Sequence, residues 1–164
     1  MSSVTSSDGT KIAYEKLGSG PALILVDGAI CYRGFGPMPS LAALLQSDFS
    51  VYLYDRRGRG ESEDTTPYSP QREIEDIAAL IEAAGGAANV YGISSGAALA
   101  LRAAASGLNM IKLALYEPPF NDDPQAQREW AAYRSTLDQL IAEERRGDAA
   151  ALFMQQVGTP PEAI

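Results

Sequence analysis

Histidine is absent from the 164 residues, and there is a single cysteine, Cys31. The usual zinc, haem and iron–sulfur sites therefore have no ligand set in this chain, and no metal or other cofactor is expected. One cysteine excludes an internal disulfide, which fits a reducing compartment and a cytoplasmic location. Basic side chains are also few: 13 Lys and Arg against 21 Asp and Glu give a net charge of −8. Nucleic acid and anionic membrane both need a basic face, so neither is expected as a partner. No stretch approaches the ~20 apolar residues of a membrane span. Residues 1–8 have neither the basic start nor the apolar run of a secretory signal. There is no internal repeat and no low-complexity tract.

What remains is an ordinary globular composition, 46% apolar and 21% charged. A chain of this size buries roughly 70% of the surface its unfolded form exposes. Residues 4–6 and 11–17 read as a hairpin turned at Asp8-Gly9. Residues 22–26 form a continuous apolar run, as expected of a strand buried on both faces. A short helix is predicted over 40–46, with Leu41, Leu44 and Leu45 on its apolar face, and a strand over 50–54. A polar loop rich in Gly and Arg follows from Asp55 to about Ser69. Ser69 as N-cap and Pro70 in the first turn open a helix whose apolar positions are Ile74, Ile77, Ala78, Ile81 and Ala84; Gly85-Gly86 ends it. A strand over 88–92, a small-residue helix over 95–106 and a strand over 111–116 complete an alternating series. Such alternation predicts an α/β fold, a mostly parallel sheet flanked by helices. After Phe120 it stops: 125–146 and 148–156 read as two helices, and Pro160-Pro161 as the start of a third.

Gly92-Ile93-Ser94-Ser95-Gly96 falls between a predicted strand and a predicted helix. That context makes a G-x-S-x-G match specific. A nucleophile on so sharp a turn has strained backbone angles and needs small neighbours. Ala97, Ala98 and Ala100 keep the next helix slim. The helix N-terminus aims N–H groups at Ser94, which favours developing negative charge. The bland reading is a tight turn in a flavodoxin-like or Rossmann sheet.

With three further segments, the chain resembles the α/β-hydrolase fold family. Asp55-Arg56-Arg57-Gly58-Arg59-Gly60-Glu61-Ser62 is similar to the D-x-R-G-x-G-x-S loop after that family's fourth strand. Val26-Asp27-Gly28-Ala29 stands where the family usually has His-Gly, and Tyr116-Glu117-Pro118-Pro119 resembles the end of its sixth strand. The resemblance divides the chain into a hydrolase core over 1–120, strands one to six, and the start of a helical lid over 121–164. It implies Ser94 as nucleophile, and the backbone N–H groups of Ser95 and Ala29 as oxyanion hole. Glu117 would be a catalytic acid after strand six or, preferably, a hydrogen-bonded support for the turn. Asp27 departs from the family histidine; a carboxylate there opposes an oxyanion unless it points away or is hydrogen-bonded.

The other polar residues receive plainer readings. The Gly58/Gly60 run lacks the Gly-Lys-Ser/Thr of a phosphate loop. Arg56, Arg57 and Arg59 read as a structural loop network or a solvated face. Cys31 reads as an inert small residue or part of a pocket mouth. Asp122 and Asp123 read as solvated hinge residues, and Trp130, Tyr133, Leu137 and Ile141 as lid packing at helical spacing.

The function implied is an esterase-like serine hydrolase acting on a small acyl substrate. The triad order Ser, acid, His places the remaining members beyond residue 164, so a C-terminal part of the same protein is an expected partner and this piece alone should be nearly inactive. The competing expectation is a non-catalytic binding protein of the same fold, using its pocket for a small apolar ligand.

Overall fold

In the computed structural model, which describes residues 2–164, the chain begins with β1 (Ser2–Thr5), β2 (Lys11–Leu17) and β3 (Ala22–Val26). It then alternates α1 (Met38–Leu45), β4 (Ser50–Tyr54), α2 (Pro70–Ala83), β5 (Ala88–Ile93), α3 (Ser95–Ala105) and β6 (Met110–Tyr116). α4 (Pro124–Ala142), α5 (Arg146–Gln156) and a 3₁₀ turn (Pro161–Ala163) follow. The six strands form one sheet in the order β1-β2-β4-β3-β5-β6. β1 and β2 are antiparallel to their neighbours, whereas β4, β3, β5 and β6 run parallel. This is the α/β fold expected from the alternation.

The continuous apolar run of β3 has a simple physical origin. Ile24 and Val26 point into the core beneath α2 and α3, and Leu23 and Leu25 into a second core beneath α1. β4 repeats the pattern, Tyr52 and Tyr54 on one side and Val51 and Leu53 on the other. Ile77 and Leu80 of α2 are fully buried, each worth about 1.5–3 kcal/mol of transfer free energy.

The helix boundaries correct several sequence expectations. α1 starts two residues early, with Pro39 in its first turn, so Met38 and Ala42 define its inner face and Leu44 is left 77% exposed. Ser69 is the N-cap of α2 by position, but its side chain makes no capping bond; Pro70 supplies the start instead. The long helix expected to reach residue 146 ends at Ala142, where Glu144 turns with φ 59° and Arg145 binds both Glu143 and Asp148. The first strand begins at Ser2, and the third helix after α5 is a single 3₁₀ turn.

The chain divides into two compact units, residues up to Pro119 and Phe120–Ile164. In the second, Asp123 caps α4 by accepting from the Gln125 N–H at 3.0 Å. Trp130 and Tyr133 meet edge to face with centroids 5.2 Å apart. No residue of α4 is buried; Tyr133 and Leu137 are half-buried, and Trp130 and Ile141 are exposed. Among the described residues no helix is long and apolar enough to cross a membrane.

Of the two readings of Arg56 and Arg57, the structural loop network holds and the solvated face does not: both are buried, each against a carboxylate of α2. Arg57 grips Asp76 through Nε and Nη2 at 2.9 and 2.7 Å and reaches Asp8 through Nη1 at 2.9 Å. Bidentate pairing raises the Arg57 pKa above its ordinary value, and Arg57 together with Thr10 holds the Asp8 carboxyl well below the usual carboxylate range. Arg57→Met removes one partner and strands Asp76, whose side chain is 1% exposed. The variant should lose about 3–5 kcal/mol of stability, the cost of an uncompensated buried charge. Urea unfolding of the full-length protein measures it, and an unshifted midpoint would show that the pair contributes nothing.

Candidate active site at the turn between β5 and α3

Ser94 joins β5 to α3 with φ 53° and ψ −123°. A non-glycine residue held there costs on the order of 1–3 kcal/mol, so the surroundings must enforce it. They do so through the backbone. The Ser94 N–H donates to the Tyr116 carbonyl at 2.9 Å, and the Ser94 carbonyl accepts from Ala97 and Ala98 at 3.0 and 3.2 Å. A Cβ on Gly92 would lie 2.6 Å from the Gly96 carbonyl oxygen, and one on Gly96 would run into the Val26 and Asp27 carbonyls. Only glycine permits this approach of helix to sheet.

Two other residues at neighbouring strand ends have positive φ: Ile30 after β3 (φ 54°) and Glu117 after β6 (φ 48°). For β-branched Ile30 this is a true outlier. Three strained turns thus sit at the C-terminal ends of adjacent parallel strands, where open α/β sheets carry their ligand sites. The loop after β3 faces the turn directly, since a Cβ on Gly28 would lie 3.6 Å from Ser94 Cβ.

Among the described residues Ser94 Oγ makes no hydrogen bond, and the N–H groups of Ala29 and Ser95 have no acceptor. The arrangement therefore offers a hydroxyl at a helix N-terminus with unpaired donors on the loop beside it and on the next residue. Among the described residues no three His, Cys, Asp or Glu are grouped to hold a metal ion.

Asp27 is buried; its Oδ1 accepts from the Gly28 N–H at 2.7 Å. Burial pushes its carboxyl above the ordinary 3.8, against the pull of Gly28 and of the Arg59, Cys31 and Arg56 neighbours. The Cys31 thiol is half-buried, and burial and then Asp27 raise its pKa. Glu117 is exposed and its carboxylate accepts no hydrogen bond among the described residues. The expected side-chain support is thus absent; the neighbouring Tyr116 carbonyl holds Ser94 instead.

The sequence suggests a loop network for Arg56 but does not identify its partners. Arg56 is gripped by Glu73 at 2.6 and 2.7 Å, and Glu73 also accepts from the Tyr68 hydroxyl at 2.8 Å. Burial opposes the charge on both partners, but their mutual bonds hold Arg56 above and Glu73 below their ordinary values. The available signal was Glu73 and Asp76, spaced i and i+3 among the buried isoleucines of α2.

Because the folded pKa of Asp27 lies above its unfolded one, folding binds the proton more tightly. Stability from this group is intact below about pH 3.8, declines as pH rises, and is lost above the folded pKa. Asp27→Asn keeps an acceptor for Gly28 and removes the charge. Its melting temperature relative to wild type should rise between pH 4 and pH 7, and a difference independent of pH would contradict a buried carboxylate that titrates upward.

The model of the alpha/beta hydrolase family matches residues 20–162. An alpha/beta hydrolase from Sphaerobacter thermophilus is 51% identical over 99% of this chain and 63% of its own, with a TM-score of 0.83. A hydrolase from Pseudomonas aeruginosa is 25% identical over 94% of this chain and 57% of its own, at 0.76. A thermophilic esterase from Thermogutta terrifontis is 25% identical over 87% and 56%, at 0.67. The chain thus spans less than two thirds of these solved relatives. Matched along nearly its whole length in sequence and in structure, it belongs to the alpha/beta hydrolase family.

Proposed function

We propose that this chain carries the nucleophile and oxyanion-binding half of an esterase-like serine hydrolase. The observation that supports it most is Ser94 itself, held at φ 53° with its Oγ free and beside unpaired N–H groups of Ser95 and Ala29. Family membership and esterases among the similar structures favour the same chemistry.

Ser94 Oγ attacks the carbonyl carbon of a small carboxylic ester while a general base takes its proton. The carbonyl oxygen becomes an oxyanion, and the Ser95 and Ala29 N–H groups receive it. The ester C–O bond then breaks, the alcohol leaves with the proton, and an acyl group remains on Ser94. Water repeats the sequence and releases the acid. The base cannot be a histidine of these 164 residues, which have none. It belongs to the part of the fold that the longer relatives possess, as does the orienting acid if that is not Glu117. Glu117, exposed at the end of β6, is the candidate acid within this chain. Residues 121–164 read as the start of a helical lid.

A fluorophosphonate probe tests the reading on the full-length protein. Wild type should be labelled and Ser94→Ala should not, and ester hydrolysis should fall by at least about 10⁴-fold in the variant. A folded wild-type protein that takes no label would favour the non-catalytic small-ligand binder.

A further inference from the structure

The guanidinium of Arg56 has one nitrogen that its ion pair does not use. Nε and Nη2 are taken by the two oxygens of Glu73. Nη1 instead reaches the Asp27 carbonyl at 3.2 Å and Ser95 Oγ at 3.1 Å. These partners lie on the two separate segments that bear the unpaired amides. Asp27 is two residues before Ala29 in the loop after β3, and Ser95 carries the second amide itself. Arg59 holds the same loop from further along, Nη1 donating to the Gly28 carbonyl at 2.6 Å and to the Cys31 carbonyl at 3.2 Å.

A planar guanidinium fixed on one edge by a carboxylate is a rigid spacer. Arg56 is fixed in this way by Glu73 of α2, so its free nitrogen stands at a set distance from both segments. If the Arg56–Glu73 pair served only to attach α2 to the sheet, Nη1 could face water. It is buried against the turn. Oxyanion donors must lie within about 2.7–3.1 Å of the place where charge will develop, and a 1 Å error can cost on the order of 100-fold in rate.

We propose that Arg56 is a positioning residue that sets the spacing of the Ala29 and Ser95 amides, and so the geometry of the oxyanion hole. The inference rests on the reading of Ser94 as nucleophile.

Two variants of the full-length protein test it. Ser95→Ala deletes one acceptor of Nη1 and leaves the buried ion pair and the Ser95 backbone in place. Arg56→Lys retains a charge for Glu73 but has one point donor in place of the fork. With a short-chain p-nitrophenyl ester, each should lower kcat roughly 10- to 100-fold and leave KM within about twofold. Affinity for a trifluoromethyl ketone, which forms an anionic hemiketal on Ser94, should fall by the same factor as kcat. The double variant should lose little more than Arg56→Lys alone, because both changes remove one bridge. Ser95→Ala should unfold at the wild-type urea midpoint, so a loss of kcat in it cannot be a folding defect. If wild type is labelled at Ser94 but Ser95→Ala and Arg56→Lys keep wild-type kcat and ketone affinity, the positioning role is overturned and the hydrolase reading stands. If wild type takes no label, both fall together.

Discussion

Two adjacent guanidiniums, Arg56 and Arg57, leave water at the end of β4, and each requires a carboxylate to meet it. α2 supplies both from one face, Glu73 and Asp76, three residues apart and buried among Ile74, Ile77 and Ile81. Burying two ion pairs adds little net stability, because desolvation offsets most of the attraction. It does fix position. An apolar helix face slides over a sheet at little cost, whereas a face with two bidentate charge pairs has one register. The placement of α2, the anchoring of the loop after β4 and the reach of Arg56 and Arg59 toward the loop after β3 all follow from that register.

The parts legible in the sequence are those with a local cause. The run Ala22–Val26 has no polar side, so it has to lie between two layers, and it does. Gly92 and Gly96 flank Ser94 because a strand-to-helix turn this tight leaves no room for a Cβ, and the sharp turn is present. The parts that were illegible have causes distant in the chain. Within α2 the one sign that Glu73 and Asp76 point inward is their i, i+3 spacing among the isoleucines; the partners that explain it lie 17 and 19 residues earlier. The inner face of α1 is set by where the helix starts, and Pro37-Met38-Pro39 allowed more than one start. Glu117 looked like a supporting carboxylate because of where it stands along β6. Glu117 has a positive φ and is exposed, and the adjacent main chain makes the contact.

Strain and charge meet at the same end of the sheet. Ile30, Ser94 and Glu117 each have positive φ at the ends of β3, β5 and β6. Their backbone cost needs an opposing source of order, and the loop network provides it. Arg59 closes the turn containing Ile30 from the Gly28 and Cys31 carbonyls, while the Tyr116 carbonyl holds Ser94. Ile30 and Ser94 are thus held by bonds from outside their own turns, the condition under which such conformations persist.

Asp27 completes this balance. A carboxylate two residues from an amide that would receive an oxyanion is unfavourable if it is charged and free. Here its Oδ1 is occupied by the Gly28 N–H, and burial favours the protonated form. Arg59 and Arg56 stand near it and offset whatever charge remains. The same two guanidiniums hold the carbonyls on either side of Gly28, so compensating the carboxylate and aligning the loop are one arrangement. A histidine at position 27, the residue usual in the family, would need no such compensation. With Asp27 in place, the arginines after β4 neutralise the residue that begins the loop and set the loop's course past Ser94.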